Sequence, residues 1–528
     1  MVAFVLLPLF VALFACWTLF SREIHVAPPF SANPQSVLVP KLLERLRSRF
    51  EDDEFDETKD LTAPHAVPVE VWSLPLSSSS TTDEGQVGHD FATACLAEGK
   101  PRLIRNSPVK AWPAMRRWAP ATNHQADDFA ASLGADGPLK VHVSGLPTVR
   151  MHSGVQPMGT LPGLEWHRPW TEELMTSDEF MALSRGNKGG DQRKFAYFFS
   201  SLDALPASVQ VDVGDQSFLT VGWRLVWETN VWVGGPLIRT PTHYDLLHNF
   251  YVQVQGHKRF RLYSPEQWPY LYLFPRLHPS TRMSQVDPAV LEQSGVNVSS
   301  AFPDYAKMRP HEVVLHPGDV LYLPPYWFHE VTVVGDDVSI SVSVHTESDE
   351  VALREAVMQH PIPVHTDWPT DIKIKALAHY LHLVTADPLI NLDYASGSEA
   401  QGPDGGNRFI AALVKTRYAH FGLDPWVDGL AAGVDEAERE WREIERWELG
   451  REDDAEDFAL CLDNAELGRH LERHASDLKQ KLGRWLSTPH AHIEIGNWVE
   501  DISSHLLGPL SVGPFLRMLA THAPSAAC

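Results

Sequence analysis

The sequence predicts a mainly β protein, with an all-β sandwich or barrel over about residues 219–346, a mixed α/β portion before it and an α-helical region after it. Two observations carry this. From Leu219 to Val344, short β-branched and aromatic runs are separated by Gly, Pro and Asp, the pattern of many short strands and turns. After Thr346 the period changes, and a charged amphipathic section from about Val434 to Leu486, interrupted near Gly450, reads as helix. With 528 residues, 44% of them hydrophobic, the chain has apolar material for one large core or for two to three domains.

Val2 to Phe20 is an uncharged apolar run, close in length to the roughly 20 residues a helix needs to cross a bilayer. Residues 1–20 are therefore expected to be a signal segment or a signal anchor. The length of the run and the lack of a basic start favour an uncleaved anchor. The expected location is membrane-anchored or in the secretory pathway, the endoplasmic reticulum foremost. Residues 21–66 read as a tether with an acidic cluster from Glu51 to Glu57, and Ser77 to Thr82 as a polar loop. A first folded unit is expected over residues 67–346 and a helical one over 347–528.

Within the first unit, Arg102-Leu-Ile-Arg105 reads as a strand, and Thr176 to Ser184 as a helix opening on Ser177-Asp-Glu. Asn249–Gln255 and Lys258–Tyr263 flank Gly256-His257 and read as a hairpin. His316-Pro-Gly-Asp319 is a turn before the strand Val320–Leu323. From Val338 to Val344, Val and Ile alternate with Ser339, Ser341 and Ser343, so one face packs while the other offers small polar groups to a cavity.

The formal charge of −24 gives no electrostatic footprint for a phosphate backbone, so no nucleic acid partner is expected. Cys16, Cys95, Cys461 and Cys528 form no Cys-x-x-Cys pair, which argues against a disulfide framework and a zinc ribbon.

His243 and Asp245, two apart, project from one face of a strand and can grip one ion. His329 closes the run Pro317-Gly-Asp-Val-Leu-Tyr-Leu-Pro-Pro-Tyr-Trp-Phe-His329, which aims a third ligand into a cavity. Two imidazoles and a carboxylate on one face of a metal leave open positions for a bidentate co-substrate and oxygen. Lys258 lies on the apolar run between them, where an ammonium in a barrel needs an anion to meet it.

Around these residues the chain resembles the cupin-like JmjC family of iron(II) and 2-oxoglutarate dioxygenases, especially its asparaginyl hydroxylase branch. The resemblance covers about Val67 to Thr346. It rests on Lys100-Pro-Arg-Leu-Ile-Arg, Ala111-Trp-Pro-Ala, Tyr197 in Phe-Ala-Tyr-Phe-Phe, Asn230-Val-Trp-Val-Gly-Gly, Thr240-Pro-Thr-His-Tyr-Asp, Asn249, Gly256-His-Lys-Arg, Phe302-Pro-Asp-Tyr and Pro317 to His329. It implies a double-stranded β-helix, or jelly roll, in which His243, Asp245 and His329 bind Fe(II). It further implies that Lys258 pairs with the distal carboxylate of 2-oxoglutarate, assisted by the Thr240 and Tyr197 hydroxyls, with Asn249 beside the co-substrate. No catalytic residue beyond the metal ligands is implied. Ser343, the further residue expected at the co-substrate site, stands where that branch has an asparagine and Phe199 where it has a glutamine, departures that argue against asparaginyl specificity. The implied activity is hydroxylation of a protein or peptide side chain by O2, with release of succinate and CO2; demethylation of methyl-lysine is a variant of it. The alternatives are an RNA-modifying hydroxylase of the same superfamily and a non-catalytic cupin-like scaffold. The helices after Thr346 are expected to dock on the barrel or to mediate a homodimer, and residues 1–20 to contact membrane.

Overall fold

The structure, a computed structural model, describes residues 67–73, 99–118, 128–185, 194–221, 224–390, 407–424, 426–448 and 464–521. The segment 1–20, the tether, the run Ser77–Thr82, the interruption near Gly450 and all four cysteines lie outside these residues. Among the described residues, no helix is long and apolar enough to cross a membrane.

The strands before the barrel are β1 (Val67–Pro68), β2 (Val71–Ser73), β3 (Arg102–Arg105), β4 (Leu139–Ser144), β5 (Glu165–Trp166), β6 (Thr171–Met175) and β7 (Phe195–Ser201). The barrel is built from β8 (Val226–Gly234), β9 (Arg239–Tyr244), β10 (His248–Gln255), β11 (His257–Tyr263), β12 (His311–Leu315), β13 (Val320–Leu323), β14 (Phe328–Val334) and β15 (Ser339–Thr346). These fall into two antiparallel groups, β8-β15-β10-β13 and β9-β14-β11-β12, the arrangement of a double-stranded β-helix. The first group continues outward through β7, β4 and β6 on one side and through β3 and β2 on the other, while β1 borders the second.

The expected hairpin at Gly256-His257 does not form. β10 pairs with β13 and β15, whereas β11 pairs with β12 and β14, so this turn carries the chain from one sheet into the other. The local residues are the same in both cases, and it is the distant partner strands that decide. Gly256 holds φ at +65°, and a Cβ there would lie 2.7 Å from the Val338 carbonyl oxygen.

Burial on both faces explains why β10 is buried at all of its positions. Its outward residues Phe250, Val252 and Val254 join Ile340, Val342 and Val344 of β15 in a core with Phe129, Leu133, Phe180 and Met181 of the preceding helices. One of these helices, Ser177–Ser184, begins on a capping box in which Thr176 and Glu179 satisfy each other's free backbone donors. Part of the barrel interior is apolar, where Phe260, Leu262, Leu315 and Leu321 pack together with Tyr251.

The C-terminal region is helical, including Thr370–Thr385, Leu430–Glu448, Ala465–Leu482 and Pro489–Leu507. Its core includes Leu377, Tyr380 and Trp498 and merges with Tyr244, Tyr326 and Phe328 on the outer side of β9 and β14. A buried bidentate pair, Arg150 to Asp424 at 2.8 and 2.6 Å, fastens the start of this region to the N-terminal portion.

Gly256→Ala combines a left-handed φ with a backbone clash, and is expected to destabilise the fold by roughly 2 kcal/mol. A chemical-denaturation midpoint equal to that of the unchanged protein would contradict the crossing geometry.

Candidate metal centre

The pairing of β9 with β14 places His243 directly opposite His329. Their ring centroids are 4.1 Å apart. One residue past β9, Asp245 brings Oδ2 to 3.6 Å from His329 Nε2. The potential ligand atoms of His243, Asp245 and His329 all lie within 4.8 Å of one another, a group that could hold a metal ion. Beyond the His243–His329 pair the register shifts, with Pro241 and Thr242 of β9 opposing the single residue Glu330 of β14, a bulge on β9 of the kind that re-aims side chains at barrel rims.

The two histidines are oriented by the backbone. His243 Nδ1–H donates to the Pro241 carbonyl at 2.8 Å, and His329 Nδ1–H to the Trp327 carbonyl at 3.0 Å. Each Nε2 lone pair is thereby left for the space between the rings, as metal-ligating histidines require. Burial and the neighbouring His329 push the His243 imidazole down to about 3, so it is neutral at physiological pH. Burial alone would raise the Asp245 carboxyl, but His345, His329 and His243 hold it well below the usual carboxylate range. His243 and Asp245 are therefore held in the protonation states that a metal would require of them.

Lys258, on β11, is 1% exposed and points into the same barrel. Its Nζ donates to the Tyr251 hydroxyl at 2.7 Å. Burial, with no carboxylate opposing it among the described residues, lowers the ammonium to about 7. The Thr240 hydroxyl bonds that of Tyr197, and Tyr197 and Tyr251 are close enough for each charge to be felt by the other. Three of the residues singled out, Lys258, Thr240 and Tyr197, thus converge with Tyr251 inside the barrel.

Asn249 and His345 face each other across β10 and β15. His345 Nε2 is 3.8 Å from Asp245 Oδ2. Asn249 Oδ1 and His345 Nδ1 are buried without a hydrogen-bond partner. Ser343 is fully buried and its hydroxyl accepts from Trp232 Nε1 at 2.7 Å, so it fixes the cavity wall. Phe199, 42% exposed, stacks on Trp232 at 5.1 Å. Phe328 and Trp327 do not line this space in the same way: Phe328 packs outside against Tyr244, and the Trp327 indole donates to the Gly99 carbonyl.

Sequence reasoning missed His345 as a neighbour of the triad and Tyr251 as the partner of Lys258. Both were marked by alternation: His345 continues the series Ser339, Ser341, Ser343, and Tyr251 is two residues beyond Asn249. A second cluster, Glu165, His167 and Asp428, lies exposed where β5 pairs with the short strand β16 (Val427–Asp428).

A double-stranded β-helix with two histidines and an aspartate at one end defines a cupin-like protein with a metal-competent centre. Residues 89–347 match the cupin-like domain family, and the strand arrangement of this part is that of a cupin-like domain. Among similar proteins, HSPB1-associated protein 1 of Rattus norvegicus is 32% identical over 229 residues, covering 40% of this chain and 45% of the relative. Jumonji C domain-containing protein 5 of Drosophila melanogaster is 25% identical over 261 residues, 48% of this chain and 56% of the relative. The tRNA wybutosine-synthesizing protein 5 of Mus musculus is 27% identical over 227 residues, 41% of this chain and 64% of the relative. The chain thus spans about half the length of several curated relatives it matches.

Because the folded-state value of Lys258 is depressed to about 7 from 10.5, the unfolded chain binds the extra proton between those two values, and stability rises with pH there. Lys258→Met is expected to stabilise the protein by on the order of 3 kcal/mol below the lower value. The advantage shrinks as pH rises toward 10.5. Thermal midpoints of both proteins across that window check the sign; a destabilised Met variant at neutral pH contradicts an uncompensated ammonium.

Proposed function

We propose that the chain is an iron(II)- and 2-oxoglutarate-dependent oxygenase that hydroxylates a protein side chain. The observation that carries this reading is a metal-competent triad in the same barrel as a buried lysine that no carboxylate opposes among the described residues. His243, Asp245 and His329 would hold the iron on one face, leaving the remaining positions open. Lys258 would receive the distal carboxylate of 2-oxoglutarate, with Thr240, Tyr197 and Tyr251 as hydroxyl partners. The orphaned atoms of Asn249 and His345 fit a polar co-substrate beside the triad. Ser343 would act on that pocket through Trp232, and Phe199 at its outer edge would bear on substrate choice. Bound iron with 2-oxoglutarate and O2 supplies the oxidising chemistry, yielding succinate, CO2 and a hydroxylated product. The residues around it orient the co-substrate and hold the dry space in which its charge is met.

A protein substrate is supported by the net charge of −24, which disfavours a phosphate backbone. One relative's name also records an association with a protein. A second reading, RNA modification, is favoured by the likeness to a tRNA wybutosine-synthesizing protein.

Anaerobic addition of Fe(II) and 2-oxoglutarate is expected to produce a visible charge-transfer band, and admission of O2 to release succinate. His243→Ala should lose both. Absence of the band and of succinate from the unchanged protein sinks the enzyme reading. Stimulation of succinate release by tRNA, and not by a peptide library, would select the RNA reading.

Affinity for 2-oxoglutarate should also report Lys258. A bound carboxylate holds the lysine protonated, so affinity of the Mn(II)-loaded protein should be level below the lowered value of about 7 and fall above it. The fall should approach tenfold per pH unit. Calorimetric affinities that stay constant from about pH 6 to about pH 9 would remove Lys258 from the co-substrate site.

A further inference from the structure

The helix Pro489–Leu507 is buried at every position from 491 to 500, yet this stretch contains His492, Glu494, Asn497 and Glu500. Glu494 and Glu500 are 0% exposed. A helix buried on all sides is ordinarily apolar, and buried carboxylates carry a large desolvation penalty. Glu494 and Asn497, three residues apart, share a face. That face meets the strands that present the triad.

Glu494 Oε1 accepts from the Tyr326 hydroxyl at 2.9 Å. Asn497 Nδ2 donates to the Tyr244 hydroxyl at 3.3 Å. Arg417 in turn donates to Asn497 Oδ1 at 2.8 Å and to Glu500 at 2.7 Å, which fixes the amide's orientation. Tyr244 sits between His243 and Asp245 in the chain. Tyr326 donates its backbone N–H to the carbonyl oxygen of Asp245 at 2.8 Å. Tyr326 does so from a left-handed φ of +62°, a conformation that a tyrosine keeps only where its surroundings over-determine it. Those surroundings are the ring of Tyr244 at 5.3 Å, the ring of His490 at 5.0 Å and the Glu494 carboxylate.

We propose that Glu494 and Asn497 are positioning residues for the metal triad, acting through Tyr326 and Tyr244 to fix the segment that presents His243 and Asp245. The proposal rests on the reading of that triad as a metal site. It makes the helical region part of the centre's construction, since two of the groups that set a ligand's place come from it.

The test is anaerobic titration of the full chain with Co(II), followed by visible absorption. Tyr326→Phe, Asn497→Leu and Glu494→Leu are expected to weaken Co(II) binding about tenfold, the size of effect seen for outer-shell partners of metal ligands. Glu494→Gln, which keeps an acceptor for the tyrosine, should restore most of it. Leu506→Ala, in the same helix and beyond the polar face, should lower the thermal midpoint and leave Co(II) affinity unchanged. Tyr326→Phe keeps the ring and removes only the hydroxyl, so it reads the effect if the leucine variants fail to fold. Unchanged Co(II) affinity in Tyr326→Phe and Asn497→Leu, or equal weakening in Leu506→Ala, overturns the positioning role. If the unchanged protein binds no Co(II) and His243→Ala behaves identically, the metal reading fails and this proposal falls with it.

Discussion

The antiparallel contact between β9 and β14 is the constraint from which the rest of the centre follows. It sets His243 against His329, two residues far apart in the chain, at a distance that leaves room for one cation and little else. Each imidazole then spends its Nδ1–H on a carbonyl two residues before it, so the strand that positions the ring also selects its tautomer. A slip of one residue in this pairing would turn both rings away from each other. The bulge at Pro241 and Thr242 absorbs the mismatch beyond the site, and His243 and His329 themselves remain in register.

The interior of the barrel is mixed. Phe260, Leu262, Leu315 and Leu321 make part of it apolar, and Lys258, Tyr251, Tyr197 and Thr240 lie beside them as a polar group. Apolar side chains at the second group of positions would make a better core and an inert one. The buried ammonium is the clearest local conflict between stability and site, and such conflicts concentrate where a ligand completes the structure. The cupin-like domain matched by residues 89–347 accounts for the scaffold. The particular hydroxyls, His345 and the Trp232–Ser343 contact are what this chain builds on it.

Much of this was legible in the residues. Strand β3 falls where Arg102–Arg105 was expected, and the helix at Ser177 was announced by its capping residues. Alternation in β15 separated packing Val and Ile from the inward serines. His243, Asp245 and His329 could be named as a set because their types and order restrict the chemistry, and the structure brings them together. What was not legible depended on partners distant in sequence. The turn at Gly256 has hairpin residues, but its flanking strands answer to β13, β15, β12 and β14. Likewise, nothing near Tyr244 in the sequence tells that its hydroxyl ends on Asn497.

That same turn bears on how the molecule comes to be folded. Strands β8 through β11 alternate between the two sheets, and where successive strands do share one, as β11 and β12 do, a long connection separates them. No short barrel segment contains its own pairing partner, so the barrel has a high contact order and its nucleus must recruit distant segments. Assembly is correspondingly slow and cooperative, with strand edges exposed until the last sequence-distant partner arrives, and chaperone demand is highest during that interval.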